Sequence, residues 1–277
     1  MNRPNVGLES ISVALPSRRV SSDEIVSRHG FERDFVFDKL GIAQRYYLDD
    51  GESPSQLASQ AVRRLLDDAH IDPGSVQALI VVTQTPDYCL PHTSALVQAE
   101  TGIARTALVL DVNLGCSGYV LGLSVVKALM ETKGLARAVL VTVDAYSRIM
   151  DPLDRNTSPL FGDAASATLL SNRPRYHIGQ TTHGSDGSKH ESLIARGTGS
   201  VVEDPQPLFM DGRGIFDFAL TEVPADIARC LDVNAVTMED IDLVVMHQAN
   251  AFMLSALAKR MSLPTEKLVV ALKDVGN

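Results

Sequence analysis

The sequence predicts an α/β fold with a mainly parallel sheet, and two observations indicate it. Short apolar runs rich in β-branched residues alternate with helix-length segments along the chain. The order of these elements in the first half also recurs in the second half. The composition agrees, because 45% of the 277 residues are hydrophobic and 21% are charged, as in globular chains with a substantial core.

The alternation begins with a capped helix at residues 53–70. Ser53 can cap this helix, Pro54 suits its first turn, and apolar residues at helical spacing mark one face: Leu57, Ala61, Leu65 and Leu66. The next segment, residues 76–85, is apolar enough to be a strand that is buried on both faces. The elements that follow are a helix at 93–102, a strand at 106–112, a long helix at 119–130 and strands at 136–144 and 165–170.

Residues 223–277 repeat the helix, turn and strand order of residues 58–116. Agreement over four successive elements predicts an internal duplication. We expect an N-terminal half at 1–172 and a C-terminal half at 173–277.

Equivalent positions of the two copies carry polar residues after strands. Thr83 and Cys116 follow two strands and stand 33 residues apart, whereas His247 and Asn277 follow two strands and stand 30 residues apart. The first copy continues through a helix and two strands after Cys116, but the sequence ends at Asn277. We therefore expect the second half to be incomplete and the sequence to be truncated.

Charge, hydropathy and cysteine content argue against a nucleic-acid-binding, membrane-spanning or disulfide-bonded protein. The net charge of −9 argues against nucleic acid as a partner, and no apolar run approaches the length that spans a bilayer. The first residues lack a signal-peptide pattern. Cys89, Cys116 and Cys230 form no disulfide framework and suit a reducing compartment. We therefore expect a cytoplasmic protein.

Cys116 stands at the corner between the strand at 106–112 and the helix at 119–130. Unpaired N–H groups and the positive end of the dipole at a helix N-terminus favour the thiolate, which is the reactive form. Gly115 and Gly118 would let backbone or substrate approach closely. A core cysteine is more often a small hydrophobe than a nucleophile, so this position is what makes Cys116 a candidate nucleophile.

His247 and Asn250 lie in "VVMHQAN", and Asn277 follows Gly276 at the end of a predicted strand. Alone, a histidine at a strand end is more often structural, and Gly-Asn is a turn signal. Cys116, His247 and Asn277 nevertheless all fall at the C-terminal ends of predicted strands, where α/β sheets usually carry their sites. Asn250, in the same motif as His247, is a candidate for substrate binding.

Other motifs point to no metal and no bound cofactor. The segment "HGSDGSKHES" holds His183, Asp186 and His190, and its glycines and serines favour a surface loop over a metal site. The chain has neither a phosphate-loop nor a dinucleotide fingerprint. "GCSG" also fails the G-x-S-x-G spacing of α/β-hydrolases.

Five motifs carry a family resemblance: "DVNLGCSGY", "LFGDAASATLL", "GSDGS", "HQAN" and the final "GN". In content and order they resemble the β-ketoacyl-acyl-carrier-protein synthase III enzymes of the thiolase superfamily, and "GIAQRYY" is similar to their early segment. The resemblance covers essentially the whole chain and implies a duplicated five-layer α-β-α-β-α fold that is usually a homodimer. "HQAN" is typical of the decarboxylating branch; a glutamate base, as in hydroxymethylglutaryl-CoA synthases, finds no match.

The resemblance also implies roles for three residues. Cys116 would take an acyl group from acyl-CoA as a thioester. His247 and Asn277 would donate hydrogen bonds to the thioester oxygen of a malonyl-carrier protein while carbon dioxide leaves. The resulting carbanion would attack the acyl-cysteine and give a β-ketoacyl product, with no metal or bound redox cofactor required.

Substrate contacts follow from the same resemblance, with departures. Phe35 stands where the family often has a tryptophan that stacks on the CoA adenine, and Lys39 stands where an arginine is usual. Arg148 matches another CoA-contacting arginine, whereas Arg213 replaces a usual asparagine. Leu90 aligns with a bulky residue that lines the acyl pocket from across the dimer.

The resemblance also implies docking of an acidic carrier protein, and here the sequence departs from the family at Phe252. Phe252 stands where an arginine thought to help docking is common, although Lys259 and Arg260 could still supply positive charge. A specialised paralogue, acyl transfer to oxygen or nitrogen, a non-catalytic partner subunit and a cysteine hydrolase stay open as alternatives. Retention of His247 and Asn277 favours condensation.

Overall fold

The computed structural model describes residues 5–197, 199, 201 and 204–277. The chain divides into two compact units, neither of them contiguous in sequence. The first comprises Met1–Ser17, Leu48–Ala145 and Asp163–Gly179, and the second comprises Arg18–Tyr47, Tyr146–Gly162 and Gln180–Asn277. Each unit takes residues from both sides of residue 172, so the duplicated halves at 1–172 and 173–277 stay a prediction.

The strands are short, and most belong to the first unit. In chain order they are β1 (Gly7–Ala14), β2 (Arg18–Ser21), β3 (Gln44–Tyr47), β4 (Ala78–Val82), β5 (Leu108–Val112), β6 (Arg137–Ala145), β7 (Asp163–Ser171), β8 (Tyr176–His177), β9 (Leu193–Ile194) and β10 (Phe209–Met210).

The α-helices are α1 (Ser22–His29), α2 (Pro54–Asp68), α3 (Thr93–Thr101), α4 (Gly118–Lys133), α5 (Gly212–Asn234) and α6 (Ala251–Arg260). A π-helical turn covers Phe35–Leu40, and 3₁₀ turns cover Pro73–Ser75, Tyr146–Arg148, Gly187–Ser192, Met238–Asp240 and Thr265–Lys267. None of the helices in the described part of the chain is both long enough and apolar enough to cross a membrane.

The first unit is built on a six-stranded sheet in the order β5-β4-β6-β7-β1-β8. β4 pairs in parallel with β5 and β6, whereas β7 runs antiparallel to both β6 and β1. The α/β class is therefore confirmed, but the sheet is mixed rather than mainly parallel. A parallel neighbour needs a crossover connection, and residues 146–162 between β6 and β7 contain only the 3₁₀ turn Tyr146–Arg148.

The predicted first helix is confirmed as α2. The Ser53 side chain accepts a hydrogen bond from Gln56 N, and Gln56 Oε1 accepts one from Ser53 N at 3.1 Å, which completes a capping box ahead of Pro54. The predicted apolar face is buried: Leu57, Ala61, Leu65 and Leu66. This face packs in the core of the first unit, and all five residues of β4 are buried as expected.

Two glycines let α4 lie directly on the sheet. A Cβ built on Gly118 would lie 2.4 Å from Val82 Cγ1, and one built on Gly122 would lie 2.8 Å from Leu140 Cδ1. Any side chain at these positions would push the helix off β4 and β6. The glycines therefore fix where α4 begins, immediately after the turn that contains Cys116.

The second unit departs from the predicted repeat. The two segments expected to be strands form only a parallel bridge, in which Val244 N donates to Lys267 O at 2.7 Å and Val269 N donates to Val244 O at 3.1 Å. Among the described residues no further strand pairs with either segment, and Val245 is 70% exposed. The expectation of regular strands here is therefore wrong, whereas helices α5 and α6 are present as predicted.

Candidate active site

Cys116 lies in a tight turn between β5 and α4, at the strand-to-helix corner that the sequence predicts. Gly118 N donates to Gly115 O at 2.7 Å, which closes the turn around Cys116 and Ser117. Ser117 is the N-cap residue of α4, and its side chain makes no capping hydrogen bond. The Cys116 side chain is exposed and so open to a substrate.

The expected lowering of the Cys116 pKa is wrong in direction. Desolvation by the surrounding protein atoms raises the pKa of the thiol, and the negative charge of Asp144 raises it further. A backbone hydrogen bond at Cys116 lowers the pKa of the thiol, but desolvation outweighs it. Cys116 is therefore held as a thiol at neutral pH.

Asp144, at the end of β6, accepts three hydrogen bonds. Its Oδ1 accepts from Gln84 N at 2.7 Å, from Thr85 Oγ1 at 3.0 Å and from Thr83 Oγ1 at 3.3 Å. Burial raises the pKa of Asp144 to about 6, although these hydrogen bonds act in the opposite direction. Asp144 was not among the residues predicted from the sequence, although a carboxylate at the C-terminal end of a buried strand is a signal that could have identified it.

Two further carboxylates anchor the loop between β4 and α3. Asp87 accepts from Ser55 N at 2.9 Å, and Asp111 accepts from Ser94 N at 2.8 Å and from Thr93 N at 2.6 Å. Asp144 holds the same loop at its start. The loop is therefore fixed at three points while Leu90, the candidate pocket residue, is 83% exposed.

His247 lies after the Val244 bridge, and its carbonyl oxygen accepts from Ala249 N at 3.0 Å. Desolvation holds the pKa of His247 below its usual value. The imidazole is therefore neutral at neutral pH and carries one N–H that can donate a hydrogen bond.

The rest of "HQAN" is held by its own hydrogen bonds. Gln248 Nε2 donates to Met246 O at 2.9 Å, and Gln248 Oε1 accepts from Ala271 N at 2.7 Å, so this side chain ties the two bridged segments together. Asn250 caps α6 by accepting from Met253 N at 2.8 Å. The sequence analysis missed Gln248, and a substrate contact of Asn250 stays a prediction.

Asn277 is held by its main chain and reaches the "HQAN" segment with its side chain. Its N donates to Leu160 O at 3.0 Å, and its O accepts from Gly162 N at 2.9 Å. Asn277 Nδ2 donates to Ala249 O at 3.4 Å, two residues after His247. The structure therefore brings the predicted His247 and Asn277 segments together within the second unit.

Phe35, Lys39 and Phe252, which the sequence analysis treats separately, form one surface cluster. Lys39 Nζ lies 5.7 Å from the centroid of the Phe35 ring and 5.2 Å from that of the Phe252 ring. Phe252 stacks on Phe216 with centroids 5.4 Å apart. The cluster combines aromatic faces with an exposed ammonium group, the combination that a purine and its phosphates require.

Arg148, a predicted CoA contact, and Arg213, a predicted substrate-binding residue, are both exposed in the second unit. Arg148 ends the 3₁₀ turn Tyr146–Arg148. Arg213 lies in the first turn of α5, with its Nε 3.8 Å from Asp217 Oδ2.

The predicted surface loop around His183 and His190 is held by Asp186. The Asp186 carboxylate accepts from Ser188 N at 3.0 Å. Within the described residues, no group of three or more His, Cys, Asp and Glu side chains is arranged to hold a metal ion.

The family models and the relatives that match this chain carry the same description. Residues 110–187 match the family described as 3-oxoacyl-[acyl-carrier-protein (ACP)] synthase III, and residues 231–277 match its C-terminal part. A β-ketoacyl-[acyl-carrier-protein] synthase III of Bordetella petrii is 35% identical over 271 residues, which cover 95% of this chain and 82% of the relative.

Solved structures show the same fold. A 3-oxoacyl-(acyl-carrier-protein) synthase III crystal structure matches with a TM-score of 0.93 at 33% identity, covering 99% of this chain and 87% of that chain. The priming β-ketosynthase of the R1128 polyketide pathway matches with a TM-score of 0.89 at 27% identity, covering 99% and 84%.

Proposed function

The chain belongs to the 3-oxoacyl-[acyl-carrier-protein] synthase III family, and from this premise we propose that Cys116 is its nucleophile and that His247 and Asn277 act in decarboxylation. It is an acyltransferase that condenses an acyl group from acyl-CoA with a malonyl-carrier protein. The observation that supports the assignment most directly is the hydrogen bond from Asn277 Nδ2 to Ala249 O, since it holds Asn277 beside the segment of His247.

In the first step Cys116 takes the acyl group. The Cys116 sulfur gives up its proton as it attacks the acyl-CoA carbonyl, the carbon–sulfur bond to CoA breaks, and the departing CoA sulfur takes up a proton in exchange. The position of Cys116 just before α4 supports this role, because the positive end of the helix dipole stabilises the negative charge that develops on the carbonyl oxygen.

In the second step His247 and Asn277 stabilise the loss of carbon dioxide. The bond between the malonyl carboxylate and its α-carbon breaks, and the electron pair moves toward the thioester oxygen. The lowered pKa keeps His247 neutral, so both residues donate N–H groups without adding a charge to the site.

In the third step the carbanion attacks the carbonyl carbon of the acyl-cysteine. A carbon–carbon bond forms, the Cys116 sulfur leaves as a thiolate, and the product is a β-ketoacyl-carrier protein. A proton from water then returns to this sulfur, which the raised pKa of Cys116 favours, and the resting thiol is restored.

Substrate contacts are part of the same proposal. Phe35 and Lys39 hold the adenine and phosphates of CoA, supported by the ring and ammonium geometry of their cluster, and Arg148 and Arg213 add positive charge. Asn250 contacts substrate beside His247.

The carrier protein and the partner subunit complete the proposal. The carrier protein docks near Phe252, with Lys259 and Arg260, both exposed, supplying positive charge. Leu90, exposed at its loop tip, lines the acyl pocket across a homodimer. The enzyme needs no bound cofactor and works in the cytoplasm, where its free cysteines stay reduced.

Mass spectrometry of the intact protein tests the nucleophile. We expect short acyl-CoAs to add one acyl mass that maps to Cys116, with Cys116→Ala remaining unmodified and folded. Cys230→Ala is the matched control and should acylate like the wild type. A folded protein that gains no acyl mass, or one that gains it on another residue, would reject the assignment.

A further inference from the structure

Arg45 of β3 is completely buried in the second unit. Its Nη2 donates to Pro159 O at 2.9 Å and to Ser22 Oγ at 3.1 Å. Its Nε and Nη1 have no hydrogen-bond partner among the residues that the structure describes. Burial of a guanidinium with part of its donor fork unpaired opposes folding, so the position of this side chain calls for an explanation beyond stability.

The Pro159 carbonyl is the start of the segment that holds Asn277. Within residues 159–162, Leu160 O accepts from Asn277 N at 3.0 Å, and Gly162 N donates to Asn277 O at 2.9 Å. Pro159 in this segment is therefore bonded to Arg45, while Leu160 and Gly162 bond to the main-chain N and O of Asn277.

Arg45 also contacts the two glycines beside Asn277. A Cβ built on Gly162 or on Gly276 would lie 3.2 Å from Arg45 Cβ. The stem of the arginine therefore packs directly under both glycines, and Gly276 adopts a φ of 77° at this close approach. Movement of Arg45 would move the backbone that carries Asn277.

Other bonds hold Arg45 and the 159–162 segment in place. Ser22 Oγ, which accepts from Arg45, donates to Ile42 O at 2.6 Å. His29 Nε2 and Ser158 Oγ lie 2.8 Å apart, which ties the residue before the segment to α1. The guanidinium therefore bridges a fixed β3–α1 region and the backbone of the proposed active site.

We propose that Arg45 is a positioning residue for Asn277. By fixing Pro159 O and packing under Gly162 and Gly276, it sets the orientation in which the Asn277 amide meets the malonyl thioester oxygen. The inference rests on the proposed role of Asn277 and goes beyond it. It predicts an effect on decarboxylation and condensation that spares the acylation of Cys116, which is held by its own turn in the first unit.

The test separates these steps in Arg45→Met, which keeps the apolar stem and removes the donors. We expect acylation of Cys116, followed by intact mass, to stay within about twofold of the wild type, and carbon dioxide release from the malonyl thioester to slow about 100-fold. Arg45→Lys keeps the positive charge and one donor nitrogen, so it should recover part of the rate. Arg64→Met, an exposed arginine on α2, is the matched control.

Asn277→Ala is measured in parallel and as the double variant with Arg45→Met. If Arg45 acts through Asn277, the double variant decarboxylates no more slowly than Asn277→Ala alone. Normal decarboxylation by Asn277→Ala would reject the proposed function itself. Slow Asn277→Ala together with normal Arg45→Met would reject only the positioning role.

Folding is checked by circular dichroism and thermal unfolding. If Arg45→Met does not fold, Arg45→Lys carries the test, with a slowed decarboxylation and an unchanged acylation expected. Equal slowing of both steps in Arg45→Lys would contradict the inference and reduce Arg45 to a structural role.

Discussion

The charge of Asp144 acts on the Cys116 thiol, and its removal has a predictable sign. Asp144 is ionised above a pKa of about 6, so it opposes formation of the thiolate over the whole range in which Cys116 titrates. Asp144→Asn retains an oxygen that can accept from Gln84 N but removes the charge. We expect the pKa of Cys116 to fall, seen as a shift of the iodoacetamide alkylation profile to lower pH.

Asp87→Asn is the control, because Asp87 accepts from Ser55 N in the first turn of α2 and is not among the charges that shift the Cys116 pKa. An alkylation profile that stays in place or moves to higher pH in Asp144→Asn would contradict the electrostatic argument.

The same carboxyl predicts a pH dependence of stability. Its folded-state pKa of about 6 exceeds the ordinary value of 3.8, so the folded state binds more protons than the unfolded state between these values. The contribution of Asp144 to stability is therefore present at low pH and is lost as the pH rises through about 6. The free energy of unfolding of Asp144→Asn minus that of the wild type should therefore increase as the pH rises from 4 to 7, by up to about 3 kcal/mol.

Urea unfolding of both proteins at a series of pH values measures this difference. A difference that is constant across the range would mean that the Asp144 pKa is ordinary in the folded state, and the burial argument would then fail.

At the scale of single residues, the sequence identified the residues that the proposed chemistry uses but not those that support them. Cys116 follows a strand that the structure has, so its placement could be predicted from a local pattern, whereas His247 and Asn277 follow segments that form only one bridge. Arg45 bonds to Pro159 and Asp144 bonds to Gln84, which are 114 and 60 residues away in sequence. Hydrogen bonds between residues so far apart in sequence leave no periodic pattern from which they could be predicted.

At the scale of elements, the packing of α4 against β4 depends on Gly118, which has no side chain. Gly118→Ala would place its Cβ 2.4 Å from Val82 Cγ1, so the start of α4 must shift and take the Cys116 turn with it. We expect a loss of about 1–3 kcal/mol in free energy of unfolding and a slower acylation of Cys116. Chemical unfolding and intact-mass kinetics measure the two effects.

Gly187→Ala is the matched control, because a Cβ there has no neighbour within 4 Å among the described residues. Equal behaviour of the two variants would show that close packing at Gly118 does not position the turn.

Element prediction succeeded where local signals were complete. The α2 helix carries its own capping box and apolar face, and the structure has both. The segments at Val244 and Leu268 have strand-like composition but form one bridge, because a strand needs a paired neighbour that local sequence does not specify. For the same reason the antiparallel return of β7 was not visible in the alternation of elements.

At the scale of the whole molecule, the residues proposed for the two half-reactions belong to different units. Cys116 and its turn belong to the first unit, whereas His247, Asn277 and Arg45 belong to the second. We therefore expect acylation to depend on the first set of contacts and decarboxylation on the second. The central claim is therefore that the two steps can be separated by substitution.

The most direct measurement follows the acyl adduct of Asn277→Ala by intact mass after acyl-CoA and then malonyl-carrier protein are added. We expect the adduct to form on Cys116 at the wild-type rate and to persist, whereas the wild type loses it within its turnover time as β-ketoacyl product forms. Loss of the adduct at the wild-type rate in Asn277→Ala, or failure of the folded variant to acylate at all, would show that Asn277 does not act in the decarboxylation step alone.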